Sequence, residues 1–577
     1  MFSFSSKKVI IPDIRTFNLI SWVAALTFLL SACLFFIFYL SSGYDELKNW
    51  FYSLNGCFIN RETWTVNFFT PLVKSQGNNF ALAGILFSMA IIIYLLAGWK
   101  KLNGLPREKQ AVSIEKWGWY FIIVLVGLVL GIWSWHLAKP ANDEIFSAVY
   151  CADIHPLQAL TYYMAPNNHI YFNILNNFFF HWSNDHLSTG RFISLLAYIC
   201  VLLCAFNWIS TFIRDTRFAF VALLPIALQL SALGFAAQAR GYEAQLLCGW
   251  VAFTSMLKYN QTEDKSDLKV NTVANIAGFA MIPTYFFWYI AQVVTMSCIA
   301  LYNRRFERYY WVYQVLAAGV VFLLYAPAIC FSGLPAFNDN VYVKPAFNDW
   351  IAFLPDFAAD FKFFINFCFS LGIERSINYV VFFVPFLLFF SKKRERRFLA
   401  FFYFVYWTVF IVVNLVMRHA AFNRNLILHY SITMALFVYT IYVLVDALAG
   451  QVTAKYNKVV ITLFFAVPLL GFCQHLIKHD KNEISTDLYF NNVTMLYKIR
   501  MNDLTAIPTG SSVAFSYNSF YFYYYCRKLN YNTSRCPNEH EDYYVNLSGP
   551  DPLPAWVTNN YQLFRKCTDN FEIYKRK

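Results

Sequence analysis

Charged residues are scarce in this sequence. Of its 577 residues, only 14% are Asp, Glu, Lys or Arg, whereas 58% are hydrophobic and 20% are aromatic. Soluble domains carry about 25% charged residues, so this composition excludes an ordinary soluble globular protein. The formal net charge of +13 does not indicate nucleic-acid binding, because the basic residues fall in short segments between apolar runs, where they orient a membrane protein.

Several short motifs of soluble enzymes are also missing. The sequence contains no HExxH and no CxxC, which are common zinc-binding patterns. It contains neither GxGxxG nor a P-loop, which argues against a site for a soluble nucleotide sugar or ATP. We therefore expect no resident cofactor and no metal site. A divalent metal site is the minor alternative, because one loop contains four histidines that are candidate ligands: His155, His169, His181 and His186.

Apolar runs of about 20 residues recur along most of the chain, and this is the length that a helix needs to cross a bilayer. They predict an all-α polytopic membrane protein with about 13 transmembrane helices. The stretch 273–302 is expected to cross twice, with a break near Pro283. The predicted spans are 18–41, 78–98, 117–137, 191–213, 218–236, 242–257, 273–302, 309–331, 378–391, 398–416, 427–447 and 457–474.

Clusters of Lys and Arg between the spans predict the orientation, because cytoplasmic loops hold most of these residues. The clusters lie between spans two and three and near residues 304–308 and 392–397. They place the amino terminus inside, and the loops 42–77, 138–190 and 332–377 outside. They also place the carboxy-terminal tail outside. The protein is expected in a bacterial inner membrane, with its site and its tail on the periplasmic side.

The order of apolar and polar segments predicts three parts. Residues 1–116 form an amino-terminal membrane extension with two helices, and residues 117–475 form the transmembrane core. Residues 480–577 are polar enough for a small extracytoplasmic domain. A helix expected near 485–500 and a strand expected near 511–516 favour an α/β class for this domain.

An acidic pair, Asp143 and Glu144, directly follows the third predicted span. Carboxylates at a membrane surface are costly to desolvate and usually have a function there. A solvated loop start is the alternative. The loop then continues with aromatic residues, histidines and asparagines, a composition that equally suits a helix lying in the membrane interface.

Arginines lie at the outer ends of two later predicted spans. Arg240 precedes the sixth span, and Arg418, His419 and Arg424 follow the span that ends near residue 416. Guanidinium groups bind phosphate in a bidentate way and stay charged in a partly apolar site. Snorkelling to lipid headgroups is the alternative. Lys344, in the outer loop 332–377, is a further phosphate candidate, and this loop is interpreted either as a mobile cover of the site or as a solvated interface loop.

Four elements of the core carry a family resemblance. They are the acidic pair after a span, the His155-Pro156 loop with Tyr162-Tyr163, Gly190-Arg191 at the next span, and the run Gln238-Ala239-Arg240-Gly241-Tyr242. Together they resemble the GT-C superfamily of membrane glycosyltransferases, and within it the branch of the protein O-mannosyltransferases and lipid A aminoarabinose transferases. The resemblance covers about residues 117–475. The two preceding spans and the tail depart from the family pattern.

The resemblance implies a GT-C-like fold and a hexosyl- or pentosyltransferase that uses a polyprenyl-phosphate-linked sugar on the outer face of the membrane. Asp143 matches the family position of the catalytic carboxylate, and we predict that it is the general base of a single inverting displacement. Glu144 is expected to position the acceptor or to tune the aspartate. The residues assigned to the donor phosphate are Arg240, Arg418, Arg424 and Lys344. Those assigned to the acceptor or the sugar are His155, Tyr162, Tyr163, His169, Tyr242 and His419.

The expected partners are the lipid-linked sugar, membrane lipids and an acceptor that is a glycolipid, a lipopolysaccharide or a protein, with no nucleic acid. The competing class is a solute transporter or lipid flippase. Transporters often have internal repeats and charges near the bilayer midplane, whereas the sequence has no clear repeat and its notable charges lie at the predicted outer boundary. A non-catalytic scaffold with the same fold is the third class.

Overall fold

The structure of the protein is a computed structural model. It describes residues 14–54, 61–98, 114–138, 140–163, 168–180, 185–213, 215–304, 307–338, 349–368, 375–419, 421–449, 470, 473, 503–515, 532–533, 540–546, 553–567 and 572–577.

The first three predicted spans are helices, as their apolar runs predict. α1 and α4 lie against each other, and α4 also packs on a later helix of the core. α5 leads directly to the acidic pair. The helices of this part are α1 (Ile14–Ser41), α2 (Tyr44–Ser53), α3 (Arg61–Asn67), α4 (Pro71–Gly98) and α5 (Ile114–Leu137).

The predicted outer loop 138–190 is folded into short helices. These are α6 (Asn142–Phe146), a π-helical turn (Ser147–Ala152), α7 (Pro156–Thr161) and α8 (Ile170–Phe179). A proline at the first position of α7 suits a helix start, because its missing N–H would have no partner there. The loop therefore forms a packed layer.

The next helices form the centre of the bundle: α9 (His186–Ile209), α10 (Thr216–Ala227), α11 (Leu230–Ala236) and α12 (Tyr242–Thr262). Asp185 caps α9 by accepting from the N–H groups of Leu187 and Ser188. The predicted span 218–236 is the pair α10–α11, which is bent by 76°. Pro225 lies in the last turn of α10, where proline removes an internal hydrogen bond and favours a helix end.

The predicted break near Pro283 is confirmed. α13 (Lys265–Met281) ends before Ile282, which is extended with φ −149° and ψ 132°, as the residue before a proline prefers. α14 (Phe286–Tyr302) and α15 (Arg308–Ser332) follow.

The described part of the outer loop 332–377 contains two helices that the sequence does not predict, α16 (Pro335–Asn338) and α17 (Trp350–Cys368). Phenylalanines at helical spacing give α17 an apolar face, which packs on the helix that carries Trp407 and Phe410.

The remaining described helices are α18 (Arg375–Phe383), continued by a 3₁₀ turn (Val384–Phe390), α19 (Arg394–Met417) and α20 (Ile427–Ala449). α18 and its 3₁₀ turn correspond to the predicted span 378–391. Apart from Leu470 and Cys473, the predicted span 457–474 lies outside the described residues.

Within the described ranges, eight helices are long and apolar enough to cross a membrane, or nine if the bent pair α10–α11 is one span. They identify an integral membrane protein. The prediction of about 13 spans also counted α12, α13 and the segment containing α18, none of which meets this criterion. α12 and α13 are less apolar because they pack together inside the bundle and carry buried polar side chains.

Some of these buried polar groups form a network between α12, α13 and α14. Asn271 donates to Oε1 of Gln292 (3.0 Å) and to the carbonyl of Ala252 (2.9 Å), and Gln292 donates back to Asn271 (2.8 Å). Tyr285 donates to Asn275 (3.1 Å). Paired amides of this kind join helices in a low-dielectric interior and fix their register.

Among the residues of the tail that the structure describes, five strands form a sheet with the order β2-β1-β3-β5-β4, in which β1 is parallel to both of its neighbours and the other pairs are antiparallel. The predicted strand near 511–516 is β1, and a short helix precedes β4, in agreement with an α/β class. The predicted helix near 485–500 lies outside the described residues. The elements are β1 (Ser512–Phe515), β2 (Asn532–Thr533), β3 (Tyr543–Asn546), α21 (Ala555–Asn560), β4 (Tyr561–Lys566) and β5 (Glu572–Arg576).

Candidate functional site

The acidic pair lies in the first turn of α6, and Asp143 follows Leu137, the last residue of α5, by six positions. Its two carboxylates have different surroundings. The side chain of Asp143 is 22% exposed, whereas that of Glu144 is completely buried. The two neighbours therefore meet different partners.

Glu144 is held on every side by hydrogen bonds. Its oxygens accept from Nε (2.7 Å) and Nη2 (2.9 Å) of Arg191, a bidentate pair. They also accept from the backbone N–H groups of Ala239 (2.6 Å) and Ala141 (3.1 Å). Arg191 in turn donates to the carbonyl of Ala138 (3.1 Å). One buried carboxylate thus joins α6, the start of α9 and the segment before α12.

The start of α9 approaches the segment before α12 so closely that a larger residue would not fit. A Cβ at Gly190 would lie 2.5 Å from the Cβ of Ala239. One turn later, Ser194 donates to the carbonyls of Gln238 (2.7 Å) and Arg240 (3.1 Å). These hydrogen bonds hold the backbone between Gln238 and Arg240 against α9.

Asp143 joins two arginines that are distant in the sequence. Its Oδ2 accepts from Nη1 of Arg240 at 2.9 Å and from Nη1 of Arg424 at 2.5 Å. Arg424 lies in the 3₁₀ turn before α20 and is 28% exposed, whereas Arg240 is 3% exposed. The cluster is therefore closed around Arg240 and open beside Arg424 and Asp143.

Aromatic and imidazole rings surround Arg240. Its guanidinium carbon lies 5.1 Å from the ring centroid of Tyr242, within cation–π range. Nη2 of Arg240 lies 3.3 Å from Nε2 of His169. The rings of His169 and Tyr242 meet edge to face at 5.2 Å. Five predicted site residues thus come together: Asp143, His169, Arg240, Tyr242 and Arg424.

His169 is neutral in this environment. Burial lowers the pKa of His169 well below 6.5, and the positive charges of Arg240 and Arg424 lower it further. The backbone N–H of Gly241 donates to Nδ1 of His169 at 3.1 Å, which places the ring hydrogen on Nε2. The local charge is therefore +1, since Arg191, Arg240 and Arg424 oppose two carboxylates.

The other predicted residues of the loop 138–190 have contacts of their own. Nδ1 of His155 accepts from the N–H of Leu157 and caps α7. Tyr162 is buried in a cluster with the amino-terminal helices. Tyr163 stacks on Phe337 of α16, with ring centroids 4.1 Å apart.

Two further predicted residues, Arg418 and His419, directly follow α19. Arg418 ends this helix in the left-handed conformation, with φ 47° and ψ 41°. The pKa of Asp360 in α17 is raised by burial and by Asp356, and His419 lowers it in part. Lys344 lies outside the described residues.

Two features of this region were missed by the sequence reasoning. The sequence places Arg191 at the start of a predicted span but does not predict its pairing with Glu144. The sequence feature that indicates such a pairing is an arginine at the start of an apolar run, because a charge in that position needs a partner. The carboxylates Asp356 and Asp360 of α17 were also missed, and their signal was an i, i+4 spacing within a phenylalanine-rich helix. Across the described ranges, no group of three or more His, Cys, Asp or Glu side chains could hold a metal ion.

No protein-family model matches the sequence, and no curated protein matches it. Solved structures with similarity include ArnT from Cupriavidus metallidurans bound to undecaprenyl phosphate, at 12% identity and a TM-score of 0.46, covering 79% of this chain and 98% of that chain. The arabinosyltransferase EmbB from Mycobacterium smegmatis aligns at 14% identity and a TM-score of 0.39, covering 74% of this chain and 45% of that chain. The archaeal oligosaccharyltransferase AglB from Archaeoglobus fulgidus aligns at 11% identity and a TM-score of 0.40, covering 75% and 70%.

Proposed function

We propose that this protein is a membrane glycosyltransferase that moves a sugar from a polyprenyl-phosphate donor to an extracytoplasmic acceptor. The observation that carries the proposal is the partly exposed carboxylate of Asp143, held by two guanidinium groups in a membrane protein. A carboxylate beside two cations supplies both a base for the acceptor and a positive site for a phosphate leaving group.

The arginines suit the donor. The leaving phosphate gains negative charge as its bond to the sugar breaks, and guanidinium groups stabilise this charge through bidentate hydrogen bonds. Arg240 stays charged when buried, because a guanidinium is not deprotonated in proteins. We assign the phosphate to Arg240 and Arg424, and retain Arg418 and Lys344 as further candidates.

Asp143 is the proposed general base. It takes the proton from the acceptor hydroxyl while the acceptor oxygen forms a bond to the anomeric carbon of the sugar. The bond from that carbon to the phosphate oxygen breaks, and its electron pair leaves with the polyprenyl phosphate. A single displacement of this kind inverts the anomeric configuration. Retention of the donor's configuration, seen by NMR of the product, would rule out this mechanism.

Glu144 is proposed as a positioning residue. Both of its oxygens are already occupied by Arg191 and by backbone N–H groups of Ala239 and Ala141. A carboxylate in this position holds α6 against the backbone of Arg240, so that the base and the phosphate site keep their geometry.

The acceptor is proposed to be a glycolipid, a lipopolysaccharide or a protein on the periplasmic side of a bacterial inner membrane. Tyr242 lies beside Arg240, and His419 contacts Phe422, whose ring faces Arg424. Both are the retained candidates for contact with sugar or acceptor. His155, Tyr162 and Tyr163 have capping or packing contacts, so we propose that they shape the loop around the site.

Glycan analysis of cells tests this function. Mass spectrometry of envelope glycans should reveal one sugar missing in a deletion strain and restored by the wild-type gene. Asp143→Asn, at equal abundance in the membrane, should not restore it. The matched control is Asp446→Asn, which removes the same charge from an exposed position at the far end of α20. Restoration by Asp143→Asn would favour a scaffold or a transporter.

A further inference from the structure

The same oxygen of Asp143 accepts from both arginines. Two adjacent guanidinium groups stabilise the charged form of a carboxylate and make it a poor proton acceptor. The base of the proposed reaction is therefore weak while these ion pairs are intact, and separating Asp143 from Arg240 and Arg424 would strengthen it.

We propose that the donor phosphate replaces Asp143 on the two arginines, receives a third hydrogen bond from His169, and thereby frees the carboxylate to act as the base. This inference rests on the proposed function and adds an order of events. The donor binds first, and only then is Asp143 able to accept the proton.

His169 supplies the first argument. Since Nδ1 accepts from Gly241, the ring hydrogen lies on Nε2, and Nε2 lies 3.3 Å from Nη2 of Arg240. Two N–H donors then lie 3.3 Å apart. An oxygen beside them would accept from both, and a phosphate has enough oxygens to meet Arg240, Arg424 and His169 together.

Charge and exposure supply the second argument. The cluster keeps a charge of +1 although Asp143 is part of it, so it still attracts an anion. Asp143 and Arg424 are 22% and 28% exposed, whereas Arg240 is 3% exposed. A phosphate can therefore approach from the open side, where the carboxylate that it displaces also has room to move.

The exchange would protect the donor. Without a bound phosphate the carboxylate stays paired, and its ability to activate a hydroxyl or a water is low. Base strength then rises only when the sugar is already in place. Such a coupling favours transfer to the acceptor over loss of the donor to hydrolysis.

Binding of undecaprenyl phosphate to the purified full-length protein in nanodiscs tests the exchange. Asp143→Asn removes the carboxylate that competes for the arginines, so this variant should bind the lipid about three- to tenfold more tightly than the wild type. The expected gain in affinity is small because Asp143 and Arg424 are partly exposed. Asp446→Asn should bind like the wild type. Size-exclusion chromatography confirms that each variant is folded.

The outcomes separate this inference from the proposed function. Arg240→Gln and Arg424→Gln should each weaken binding about tenfold or more, the scale of a lost charge-assisted hydrogen bond. Unchanged or weaker binding in Asp143→Asn, together with weaker binding in both arginine variants, overturns the exchange alone. Unchanged binding in both arginine variants overturns the phosphate site of the proposed function as well.

His169 has a test of its own. His169→Phe keeps a ring and removes the Nε2 donor, so binding should weaken about tenfold. His169→Gln carries an amide donor at a similar reach and should recover part of the loss. Equal binding by both variants would show that His169 only packs beside the site.

Discussion

At the residue scale, the two carboxylates of the acidic pair have different proposed roles, because Glu144 is buried whereas Asp143 is partly exposed. Glu144→Gln would leave Arg191 as a buried charge without its partner, and breaking a buried pair costs about 3–5 kcal/mol. We expect a clearly lower unfolding temperature for Glu144→Gln in detergent. Asp143→Asn is the matched comparison. Although its partner Arg240 is buried, the carboxylate and its second partner Arg424 are partly exposed, so the unfolding temperature should fall less. The reverse order would mean that Glu144 is not the anchor of α6.

A second residue-scale prediction concerns pH. The pKa of His169 is lowered in the folded protein by burial and by Arg240 and Arg424, so below pH 6.5 the unfolded chain binds a proton that the folded protein does not. The stability that neutral His169 contributes is complete above pH 6.5 and is lost as the pH falls below it. Unfolding temperatures at pH 7 and pH 5 should therefore differ more in the wild type than in His169→Gln. An identical difference in both would contradict a buried neutral imidazole.

At the element scale, the site depends on how closely α9 approaches the segment before α12. Gly190→Ala would place a Cβ 2.5 Å from that of Ala239, so the two elements must separate and the N–H of Ala239 must move away from Glu144. We expect lower turnover and a lower unfolding temperature. Gly118→Ala in α5 is the control, because its Cβ would meet nothing within 4 Å, and alanine favours a helix by about 0.5–1 kcal/mol. Equal effects of the two substitutions would contradict this role of Gly190.

The length and apolar pattern of each helix determine whether the sequence predicts it. Long apolar runs such as α1, α5, α9 and α15 have a clear length signal, so their helices were predicted within a few residues. α17 was missed because Asp356, Asp360 and Lys362 interrupt its apolar pattern. The site residues Asp143, Arg240 and Arg424 were identified by chemical type and by their predicted side of the membrane. The pairing of Asp143 with both arginines was not predictable, because it depends on packing between residues 97 and 281 positions apart in the chain.

At the scale of the whole molecule, the amino-terminal extension is bound to the core. Tyr39 of α1 donates to the carbonyl of Cys330 in α15 at 2.8 Å, and Lys74 of α4 donates to the carbonyl of Tyr39 at 3.0 Å. Trp64 and Phe331 bury their rings in the same cluster. The extension thus completes a hydrophobic core that would otherwise be exposed.

The predicted orientation is a property of the whole chain and has a direct test. Alkaline phosphatase, which is active only in the periplasm, should be active when fused after Lys577, and green fluorescent protein at the same place should not fluoresce. Fusions within the basic segment at Lys392 should give the opposite result. An active phosphatase at Lys392 would reverse the topology and would place Asp143 on the cytoplasmic side.

The most direct measurement of the central claim is cleavage of the donor by the purified protein. Undecaprenyl phosphate released from an undecaprenyl-phosphate-linked sugar pool is measured in the presence of acceptor membranes. We predict release by the wild type and by Asp446→Asn, and a fall of about 10²–10⁴-fold in Asp143→Asn, the usual scale for a lost general base. Release by Asp143→Asn at the wild-type rate would contradict the assignment of Asp143 as the catalytic base.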